Sequence, residues 1–406
     1  MSGDETTDGR PTNERGHGFG TRAVHGAKLP PIDQETPSVP IFQTSTFRFD
    51  SSQDYAETIA FRRPGYTYTR GYGNPTLDAF EAHIADLEGT QTAMSFASGM
   101  AAIHTVFTAL ARTGDRIVAS NELYGGAWSI CTKVMPRYGI EVTSVNPHDV
   151  DSVSRVLEGA SLFYVETIAN PNVTVADLGA LGTLCRDAGV PAVVDNTFAT
   201  PYLCAPVVHG FDYVLHSATK YIGGHHDLIG GVVCCTEEGR SLLRDVVIET
   251  GGTMSPFEAW LCMRGLMTLP LRMQRHCENA EAIGRFLEEH GKIERVWYPG
   301  LQSHPQHGVA TREFANGFGG MLAVEVAGGV DGGKRFCDAL RLAWVATSLG
   351  GTHTLVGHAA STTHRQMDPE ARRAAGIADG LVRVSAGLED VDDLIADMDH
   401  ALGTLA

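Results

Sequence analysis

The sequence lacks any apolar run near the roughly 20 residues that a membrane-spanning helix needs. Its start, MSGDETTDGRPTNERGHG, is polar and contains no apolar core of the kind found in secretory signal peptides. Positive charge is also scarce, since 31 Lys and Arg stand against 48 Asp and Glu and the formal net charge is −17. Nucleic acids and membrane surfaces are themselves anionic, so this charge argues against both as partners. We therefore expect a cytoplasmic protein with no nucleic-acid or membrane partner.

Cysteine is sparse, with 8 among 406 residues and no regular spacing, which argues against a disulfide framework. Cys234 and Cys235 lie in the apolar run GGVVCC and are predicted to be buried strand residues, not reactive thiols. Histidine is common, and the segments HPQH and GGHHD could be read as sources of metal ligands. No Cys or carboxylate lies at a matching spacing, so we expect no metal site.

The length of 406 residues suits one large domain and one smaller one. Residues 1–17 are predicted to be a disordered lead. Residues 18–65, rich in Pro and Thr, are predicted to be an extended N-terminal arm. The next segment, NPTLDAFEAHIADLEG, is predicted to be a helix that Thr76 caps and Gly89 ends.

From there to about residue 235, five short apolar runs alternate with helical stretches: RIVAS, SLFYVE, PAVVDNT, YVLHS and GGVVCC. Such runs are typical of parallel strands that helices cover on both faces. After about residue 262 the sequence changes. A long segment with a helical pattern is followed by a predicted strand in GFGGMLAVEVAG and a final amphipathic helix, VDDLIADMDHALGTL. We predict an α/β domain with a mostly parallel central sheet at residues 66–262, and a smaller C-terminal α+β domain at residues 263–406.

Three polar residues follow or end the apolar runs, namely Glu166, Asp195 and Lys220. Ligands of open α/β sheets bind at the carboxyl ends of the strands, so these residues mark a candidate site. Position alone favours a simpler interpretation, an ordinary salt bridge between an acid and Lys220. A second candidate is the Ser-Gly-Met turn that opens the helix predicted in FASGMAAIHTVFTAL. Gly99 would let backbone N–H groups approach an anion at the helix N-terminus, although most such turns bind no ligand.

Eight segments, in this order, resemble the pyridoxal-phosphate (PLP) transsulfuration enzymes: YTYTRGYGNPT, SFASGMAAI, ELYGGAW, VETIANP, VVDNTFATP, HSATKYIGGHHDLIGG, SLGGTHTLVGHAASTTH and LVRVSAGLED. That family comprises cystathionine synthases and lyases, methionine γ-lyases and acylhomoserine sulfhydrylases. The resemblance covers roughly residues 20–405. It implies the aspartate-aminotransferase-like fold (fold type I) and PLP as cofactor, and it displaces the salt-bridge interpretation of Lys220.

The resemblance implies a role for each matching residue near the cofactor. Lys220, in SATK, would carry PLP as a Schiff base and later move the Cα proton as a neutral amine. Asp195 would pair with the pyridine nitrogen and keep the ring protonated as an electron sink. Tyr124, in ELYGG, would stack on the ring and protonate the leaving group. Asn170 would lie by the ring oxygen, while Glu166 would orient its neighbours.

The resemblance also implies how the phosphate is held. The residues of its own subunit would be Ser98, Gly99, Met100, Ser217 and Thr219. Tyr68 and Arg70, in YTYTRG, match the pair that reaches the phosphate of the neighbouring subunit. This implies a homodimer with shared active sites, in which the N-terminal arm at residues 18–65 contributes to the neighbouring subunit. The family commonly pairs dimers into homotetramers.

The substrate implied is a small amino acid. Arg383, in LVRVSAG, matches the arginine that grips the substrate carboxylate in a forked, two-bond contact. Ser348, in SLGG, matches a residue whose backbone lies at the same carboxylate. Both are therefore predicted to bind substrate.

Three positions depart from the family pattern. Gly126 stands where methionine γ-lyases typically carry Cys, which weakens a methionine-specific interpretation. His353 stands where cystathionine enzymes and many γ-lyases carry Glu, and an imidazole lacks the fixed negative charge that would meet a distal ammonium group. His226 replaces a small residue and would narrow the entrance or donate a hydrogen bond. We predict that His353 takes part in substrate binding and that these positions choose the substrate.

We expect γ-elimination on an L-amino acid with a sulfur, activated-oxygen or halide leaving group. Lys220 would remove the Cα and then the Cβ proton and Tyr124 would assist departure from Cγ, each acid–base step contributing roughly 10²–10⁴-fold. The alternative within the family is γ-replacement by a thiol, including on a dedicated secondary-metabolite amino acid. A different class, a non-catalytic PLP-binding protein, is disfavoured by the intact Lys220, Asp195, Tyr124 and Arg383.

Overall fold

The computed structural model describes residues 17–27, 36–362, 365, 368, 370, 372 and 376–405. Nearly all of the predicted disordered lead lies outside these residues. Within them, twelve strands form two sheets. The strands are β1 (Thr92–Phe96), β2 (Arg116–Ser120), β3 (Glu141–Val145), β4 (Leu162–Glu166), β5 (Ala192–Asp195), β6 (Tyr213–His216), β7 (Gly231–Cys235), β8 (Ile293–Trp297), β9 (Met321–Val326), β10 (Trp344–Val345), β11 (Leu355–His358) and β12 (Leu381–Ser385).

The helices of the described residues surround these sheets. They are α1 (Phe19–His25), α2 (Ser52–Ile59), α3 (Thr69–Tyr72), α4 (Pro75–Glu88), α5 (Gly99–Leu110), α6 (Gly125–Ser129), α7 (Val150–Leu157), α8 (Leu178–Ala188), α9 (Thr200–Leu203), α10 (Glu237–Thr250), α11 (Pro256–Met267), α12 (Leu269–Glu288), α13 (His307–Glu313), α14 (Gly329–Ala339) and α15 (Val391–Gly403). Among the described residues, no helix has the length and apolar character needed to span a bilayer.

The larger sheet has the strand order β1-β7-β6-β5-β4-β2-β3. The five strands from β2 to β6 pair in parallel, which confirms the mostly parallel central sheet. β7 differs from the prediction, because it runs antiparallel to both β1 and β6. It follows β6 through the irregular segment 217–230, which contains no helix of the kind that usually carries a chain back for a parallel strand. β7 is otherwise the buried strand predicted, and all eight cysteines are buried and free.

The smaller sheet has the order β10-β11-β12-β9-β8 and is antiparallel apart from the β10–β11 pair. It contains the strand predicted in GFGGMLAVEVAG, and the predicted final helix is α15. The predicted domain boundary at residue 262 falls within α11 and stays a prediction.

The N-terminal arm is less extended than predicted. Between residues 18 and 65 the structure contains α1 and α2, and α1 packs against α4 and α11 with Ala23 fully buried. These helices are short, so their periodic apolar residues are hard to recognise within the Pro- and Thr-rich sequence around them. The predicted helix α4 is present, but its cap is Asn74, whose side chain accepts the Thr76 N–H at 2.9 Å. The hydroxyl of Thr76 instead accepts the Phe42 N–H, at 2.9 Å, and so ties the arm to α4.

The core has one apolar layer on each face of the larger sheet. Alternate strand residues enter opposite layers: Val194 and Val214 face the side of α4 and α8, whereas Val193 and Leu215 face the side of α5 and α10. A third cluster fills the space between the smaller sheet and α12, α14 and α15. The alternation decides which polar residues at the strand ends share a face.

Candidate active site

The carboxyl ends of β4, β5 and β6 bring the predicted strand-end residues to one edge of the larger sheet. Glu166 lies beside Asp195 in the parallel register of β4 and β5. The chain leaves β6 at His216 and turns directly into the segment that carries Ser217 and Lys220. The acids and the lysine therefore meet at the edge where α/β sheets bind ligands.

Lys220 contacts a hydroxyl, not an acid. Its Nζ donates to Ser348 Oγ at 2.8 Å. Burial, followed by the nearby Arg383 guanidinium, lowers the pKa of Lys220 to about 8, and no acid contributes to the shift. The ordinary salt bridge that position alone favoured is therefore wrong. A pKa this low gives the amine an appreciable neutral, nucleophilic fraction near neutral pH.

Arg383, on β12, is oriented by two residues from other segments. Its Nη2 donates to the Ser348 carbonyl oxygen at 2.7 Å, and its Nη1 donates to Asn170 Oδ1 at 3.3 Å. Ser348 has a φ of 84°, a left-handed conformation that few non-glycine residues adopt, so its backbone is held there by its surroundings. Ser348 thus joins Lys220 to Arg383, and the planar guanidinium beside the amine suits a carboxylate ligand.

Asp195 is held by Thr197, whose N–H donates to Asp195 Oδ1 at 3.0 Å. Burial raises the pKa of Asp195. Its neighbour Glu166 accepts the Tyr124 N–H at 2.5 Å, and burial together with the charge of Asp195 raises the pKa of Glu166 well above its ordinary value. Two buried carboxyl groups this close do not both ionise without a cation. The pair therefore suits a cationic ligand atom at Asp195, with Glu166 positioning the start of α6.

The N-terminus of α5 forms a second binding feature. The Ser98 side chain caps the helix by accepting the Ala101 N–H at 3.1 Å, which leaves the N–H groups of Gly99 and Met100 directed out of the first turn. A Cβ built on Gly99 would lie 2.9 Å from Ser217 Cβ and 3.1 Å from Ser217 Oγ. Glycine is therefore required for the helix end to approach the turn after β6, and the two segments together form an anion cradle.

The far side of this cradle is fixed by threonines. Ser217 N–H donates to Thr197 Oγ1 at 2.8 Å, so Thr197 connects the Asp195 segment to the cradle. Thr219 Oγ1 donates to the Gly230 carbonyl at 3.2 Å and accepts the Gly230 N–H at 3.0 Å, which ties the turn to the entry of β7. The turn that carries Lys220 is thus anchored on both sides.

Tyr124 stands at the N-terminus of α6 and is 48% exposed. A Cβ built on Gly126 would lie 2.4 Å from Tyr124 Cε1 and 2.6 Å from Met100 Sδ. Gly126 therefore gives Tyr124 room to lie beside Met100. The departure from the family pattern at this position has a packing consequence for the stacking tyrosine.

His226 and His353 lie together at the opposite side of the site. The pKa of His226 is lowered by burial, then by His353 and then by Lys220, which places all three groups near one another. A Cβ built on Gly351 would lie 2.1 Å from His226 Nε2, so the imidazole rests directly on that glycine. The ring of His353 stacks on the exposed ring of Trp344, with centroids 4.1 Å apart and an interplanar angle of 20°.

Tyr68 and Arg70 are the predicted site residues that the chain does not bring to its own site. The Arg70 guanidinium lies 5.7 Å from the centroid of the half-exposed Tyr68 ring, in a surface hollow shared with Thr46, Phe47 and Tyr72. Within the described residues no contact joins this pair to Lys220. Such an outward position is the one expected of a pair that serves a neighbouring subunit.

Sequence reasoning missed two contacts. Thr197, which joins Asp195 to Ser217, lies in the quoted block VVDNTFATP, and the Asp-x-Thr spacing was a signal that could have found it. The contact of the Ser348 side chain with Lys220 joins residues 128 positions apart in the sequence, and no local pattern predicts it.

Together these groups match the chemistry of a phosphorylated pyridine aldehyde. The cradle offers backbone N–H groups and hydroxyls for a phosphate, Asp195 offers a carboxylate for a ring nitrogen, and Lys220 offers an amine for an aldehyde. The guanidinium of Arg383 remains for a substrate carboxylate. The residues present therefore fit PLP.

Comparison with known proteins agrees with this chemistry. The model of the family described as Cys/Met metabolism PLP-dependent enzyme matches residues 20–403. The chain is 43% identical to an L-methionine gamma-lyase of Porphyromonas gingivalis over 392 residues, covering 96% of this chain and 98% of the relative. It is 40% identical to an O-succinylhomoserine sulfhydrylase of Pseudomonas aeruginosa over 391 residues, 96% of each chain.

A solved structure from Campylobacter jejuni that carries N'-pyridoxyl-lysine-5'-monophosphate superposes with a TM-score of 0.91 at 31% identity, over 96% of this chain and all of that one. The protein belongs to the PLP-dependent enzymes of Cys/Met metabolism, and its cofactor is PLP. This confirms the predicted family, cofactor and fold type.

Proposed function

We propose that this protein is a PLP-dependent lyase that eliminates the γ-substituent of an L-amino acid, with sulfur, activated oxygen or halide as the leaving atom. The observation that carries the proposal is the Lys220–Ser348–Arg383 arrangement. It sets an amine with a pKa of about 8 beside a guanidinium already oriented for a carboxylate. Relatives named L-methionine gamma-lyase and cystathionine gamma-lyase, about 40% identical, support elimination as the reaction.

The geometry and the family resemblance together support the residues proposed to hold the cofactor. The N–H groups of Gly99 and Met100 and the hydroxyl of Ser217 would bind its phosphate, with Thr219 ordering the turn. Asp195 would bind the pyridine nitrogen, Asn170 would lie by the ring oxygen, and Lys220 would attach the aldehyde carbon. When bound, PLP supplies the electron sink that makes the Cα and Cβ protons of an amino acid acidic.

The chain's own residues then move protons in sequence. Arg383 binds the substrate carboxylate and fixes Cα next to Lys220. The neutral amine of Lys220 removes the Cα proton, gives it up within the site and, neutral again, removes the Cβ proton, while Ser348 Oγ keeps Nζ in place between the two transfers. Tyr124 gives the proton of its hydroxyl to the atom that leaves Cγ. Of the two protons taken from carbon, one returns to Cγ and the other restores the Tyr124 hydroxyl. Addition of water to the remaining unsaturated amino acid then yields a 2-oxo acid and ammonia.

The active unit is proposed to be a dimer in which Tyr68 and Arg70 complete the phosphate site of the partner subunit. Their outward position and their mutual cation–π contact support this arrangement. Pairing of dimers into a tetramer and a cytoplasmic location stay predictions from the sequence.

A substrate panel tests the function. The purified holoenzyme is incubated with methionine, cystathionine, O-acylhomoserine and a γ-halo amino acid, with and without an added thiol. We expect 2-oxo acid and ammonia without the thiol, and loss of both in Lys220→Ala. Lys133→Ala, at an exposed lysine of the π-helical turn Ile130–Val134 that follows α6, is the matched control and should keep full activity. A protein that binds no PLP and releases no 2-oxo acid from any of these compounds would overturn the proposal.

The second candidate is γ-replacement, in which a thiol adds where the leaving group departed. The 40% identity to the Pseudomonas aeruginosa sulfhydrylase equals the identity to several of the lyases, which keeps this candidate open. Product that forms from O-acylhomoserine only when thiol is present would favour replacement. A dedicated secondary-metabolite amino acid as substrate would appear in the same panel as activity on the γ-halo compound alone.

A further inference from the structure

Behind the site, a group of wholly buried polar residues joins α4 to the strand ends. The group consists of Glu88, Thr167, Asn196 and His216, and no member has more than 1% of its surface exposed. His216 Nε2 donates to Glu88 Oε1 at 2.6 Å, and Asn196 Nδ2 donates to the same oxygen at 3.0 Å. Thr167 Oγ1 donates to Asn196 Oδ1 at 2.8 Å. We call these four residues the His216 network.

The direction of each hydrogen bond in the network is determined by its neighbours. Asn196 Nδ2 also donates to the Cys204 carbonyl at 3.0 Å, which fixes the orientation of the amide. We assign the contact between His216 Nε2 and Glu88 Oε1 as Nε2–H donating, since Oε1 already accepts from Asn196 and a carboxylate accepts several hydrogen bonds. The pair is an acid hydrogen-bonded to an imidazole, and neither residue exposes more than 1% of its surface.

Three of the four members of the network adjoin a residue of the site. Thr167 follows Glu166, and its N–H donates to the Asp195 carbonyl at 3.0 Å. Asn196 follows Asp195, and its N–H donates to the Leu215 carbonyl at 2.8 Å. His216 precedes Ser217 of the cradle. Since side chains alternate across a strand, the network lies on the α4 face, and the carboxyl group of Asp195 is directed to the other face, towards Tyr164.

The network is not arranged for stability alone. Glu88 Oε2 and His216 Nδ1 are buried and have no partner among the described residues. A buried acid–base pair with an unsatisfied atom on each side is generally less stable than an apolar pair of the same volume. A pair retained at that cost, directly behind the carboxylate of a cofactor site, points to an electrostatic role.

We propose that His216, held by Glu88 behind the strand end, is a positioning residue that keeps Asp195 ionised for the pyridine nitrogen of the cofactor. This rests on the role proposed for Asp195. Burial alone would favour the neutral acid at Asp195, and the charge of His216 is one of the influences that lower the pKa of Asp195 against it. The pyridinium nitrogen then finds a carboxylate, not a carboxylic acid.

Few other titratable groups face the pair. From β7 and from the loop after α9 come the thiols of Cys234 and Cys204, whose pKa values burial and the charge of Glu88 raise well above the ordinary range. Both thiols stay neutral. The charges of Glu313 and Glu81 also act on Cys204 and Cys234, and Glu166 interacts directly with Asp195. Within the network itself the charged groups are Glu88 and His216. The two partners then act on Asp195 with opposite sign, and this opposition makes the proposal testable.

The test compares His216→Gln with Glu88→Gln in the full-length holoenzyme. His216→Gln leaves the Glu88 anion uncompensated, which raises the proton affinity of Asp195. We expect PLP to bind at least about tenfold more weakly, kcat to fall by a similar factor with KM nearly unchanged, and the pH midpoint of the cofactor's visible band to move. Glu88→Gln removes the anion, so any shift should have the opposite sign, and the double variant should recover most of the affinity. A tenfold change corresponds to about 1.4 kcal/mol.

A purely structural network would behave otherwise. Both single variants would then lower thermal stability and PLP affinity together, with midpoint shifts of the same sign and no recovery in the double variant, and that result would overturn the proposal. If His216→Gln fails to fold, the sign of the Glu88→Gln shift and the double variant still decide. Asp195→Asn serves as the reference in the same assays. If it leaves PLP affinity and the visible band unchanged, the proposed role of Asp195 fails, whereas a large Asp195→Asn effect with like-signed single variants rejects only the network.

Discussion

The two walls of the site are formed by different kinds of chemical groups. The wall proposed for the cofactor consists of backbone N–H groups and short side chains at the ends of β4, β5, β6 and the start of α5, all tied to one sheet. The wall proposed for the substrate consists of longer side chains, Tyr124, His226, His353 and Arg383. They come from the residue before α6, the loop after β6, the loop before β11 and β12 itself. The first wall has little freedom to change without disturbing the sheet, whereas side chains of the second can be exchanged one at a time. Binding of the cofactor and choice of substrate are thus separable.

The largest effect is expected at Arg383, where hydrogen bonds make the substrate wall as rigid as the cofactor wall. Arg383→Lys keeps the charge but loses the planar fork that donates to Ser348 and Asn170. We expect kcat/KM to fall by at least about 10²-fold, since bidentate contacts to a charged group contribute about 1.5–3 kcal/mol each to binding. Steady-state kinetics measure this, with Arg285→Lys on the exposed face of α12 as the control. A loss below threefold would show that Arg383 does not bind the carboxylate.

Lys220 is proposed to act on both the cofactor and the substrate, and the pH dependence of its reactivity tests this role. Because its pKa is lowered to about 8, its neutral form should increase about tenfold per pH unit below pH 8 and level off above it. An unperturbed lysine would continue to gain reactivity up to about pH 10.4. The rate of covalent attachment of PLP to the apoenzyme, followed by absorbance from pH 6 to 10, should show this midpoint. Loss of the neighbouring charge in Arg383→Met should raise it, and a midpoint near 10 in the native protein would contradict the environment described.

Gly99→Ala tests the cofactor wall. The added methyl would lie 2.9 Å from Ser217 Cβ and would separate the helix end from the turn after β6. We expect affinity for PLP to fall about tenfold while KM for the amino acid, measured at saturating PLP, stays within about threefold. Gly20→Ala is the matched control, because no atom lies within 4 Å of the new methyl. Unchanged PLP affinity would mean that the cradle does not hold the phosphate.

The smallest effect is expected at His353, an exposed position of the substrate wall. His353→Glu replaces an imidazole stacked on Trp344 by a fixed negative charge near His226 and Lys220. Preference should shift towards cystathionine, whose far end carries an ammonium group, by about threefold to tenfold in relative kcat/KM, the size of a partly exposed ion pair. His400→Glu on α15 controls for added charge alone. An unchanged ratio of cystathionine to methionine turnover would remove His353 from substrate selection.

Features encoded by neighbouring residues could be predicted from the sequence, whereas strand direction and short helices could not. Strand ends, the helix start at Ser98 and the lysine after β6 are encoded locally, because a strand, a cap and a turn each follow from a few neighbouring residues. The antiparallel course of β7 was not predicted, since an apolar run predicts a strand but not whether that strand is parallel or antiparallel to its neighbours. The helices of the N-terminal arm were missed because the irregular text around them masks a short periodicity.

The sequence by itself determined the family, the cofactor, the mostly parallel sheet and the chemistry that PLP requires, because ordered motifs with local geometry specify them. Only the tertiary structure showed that Lys220 meets Ser348 and Arg383 instead of an acid, and that Tyr124 depends on Gly126 for room. It alone brought Glu88 of α4 to His216 behind Asp195, residues separated by 128 positions. Such contacts depend on which faces of distant elements pack together, and that is decided by the whole core.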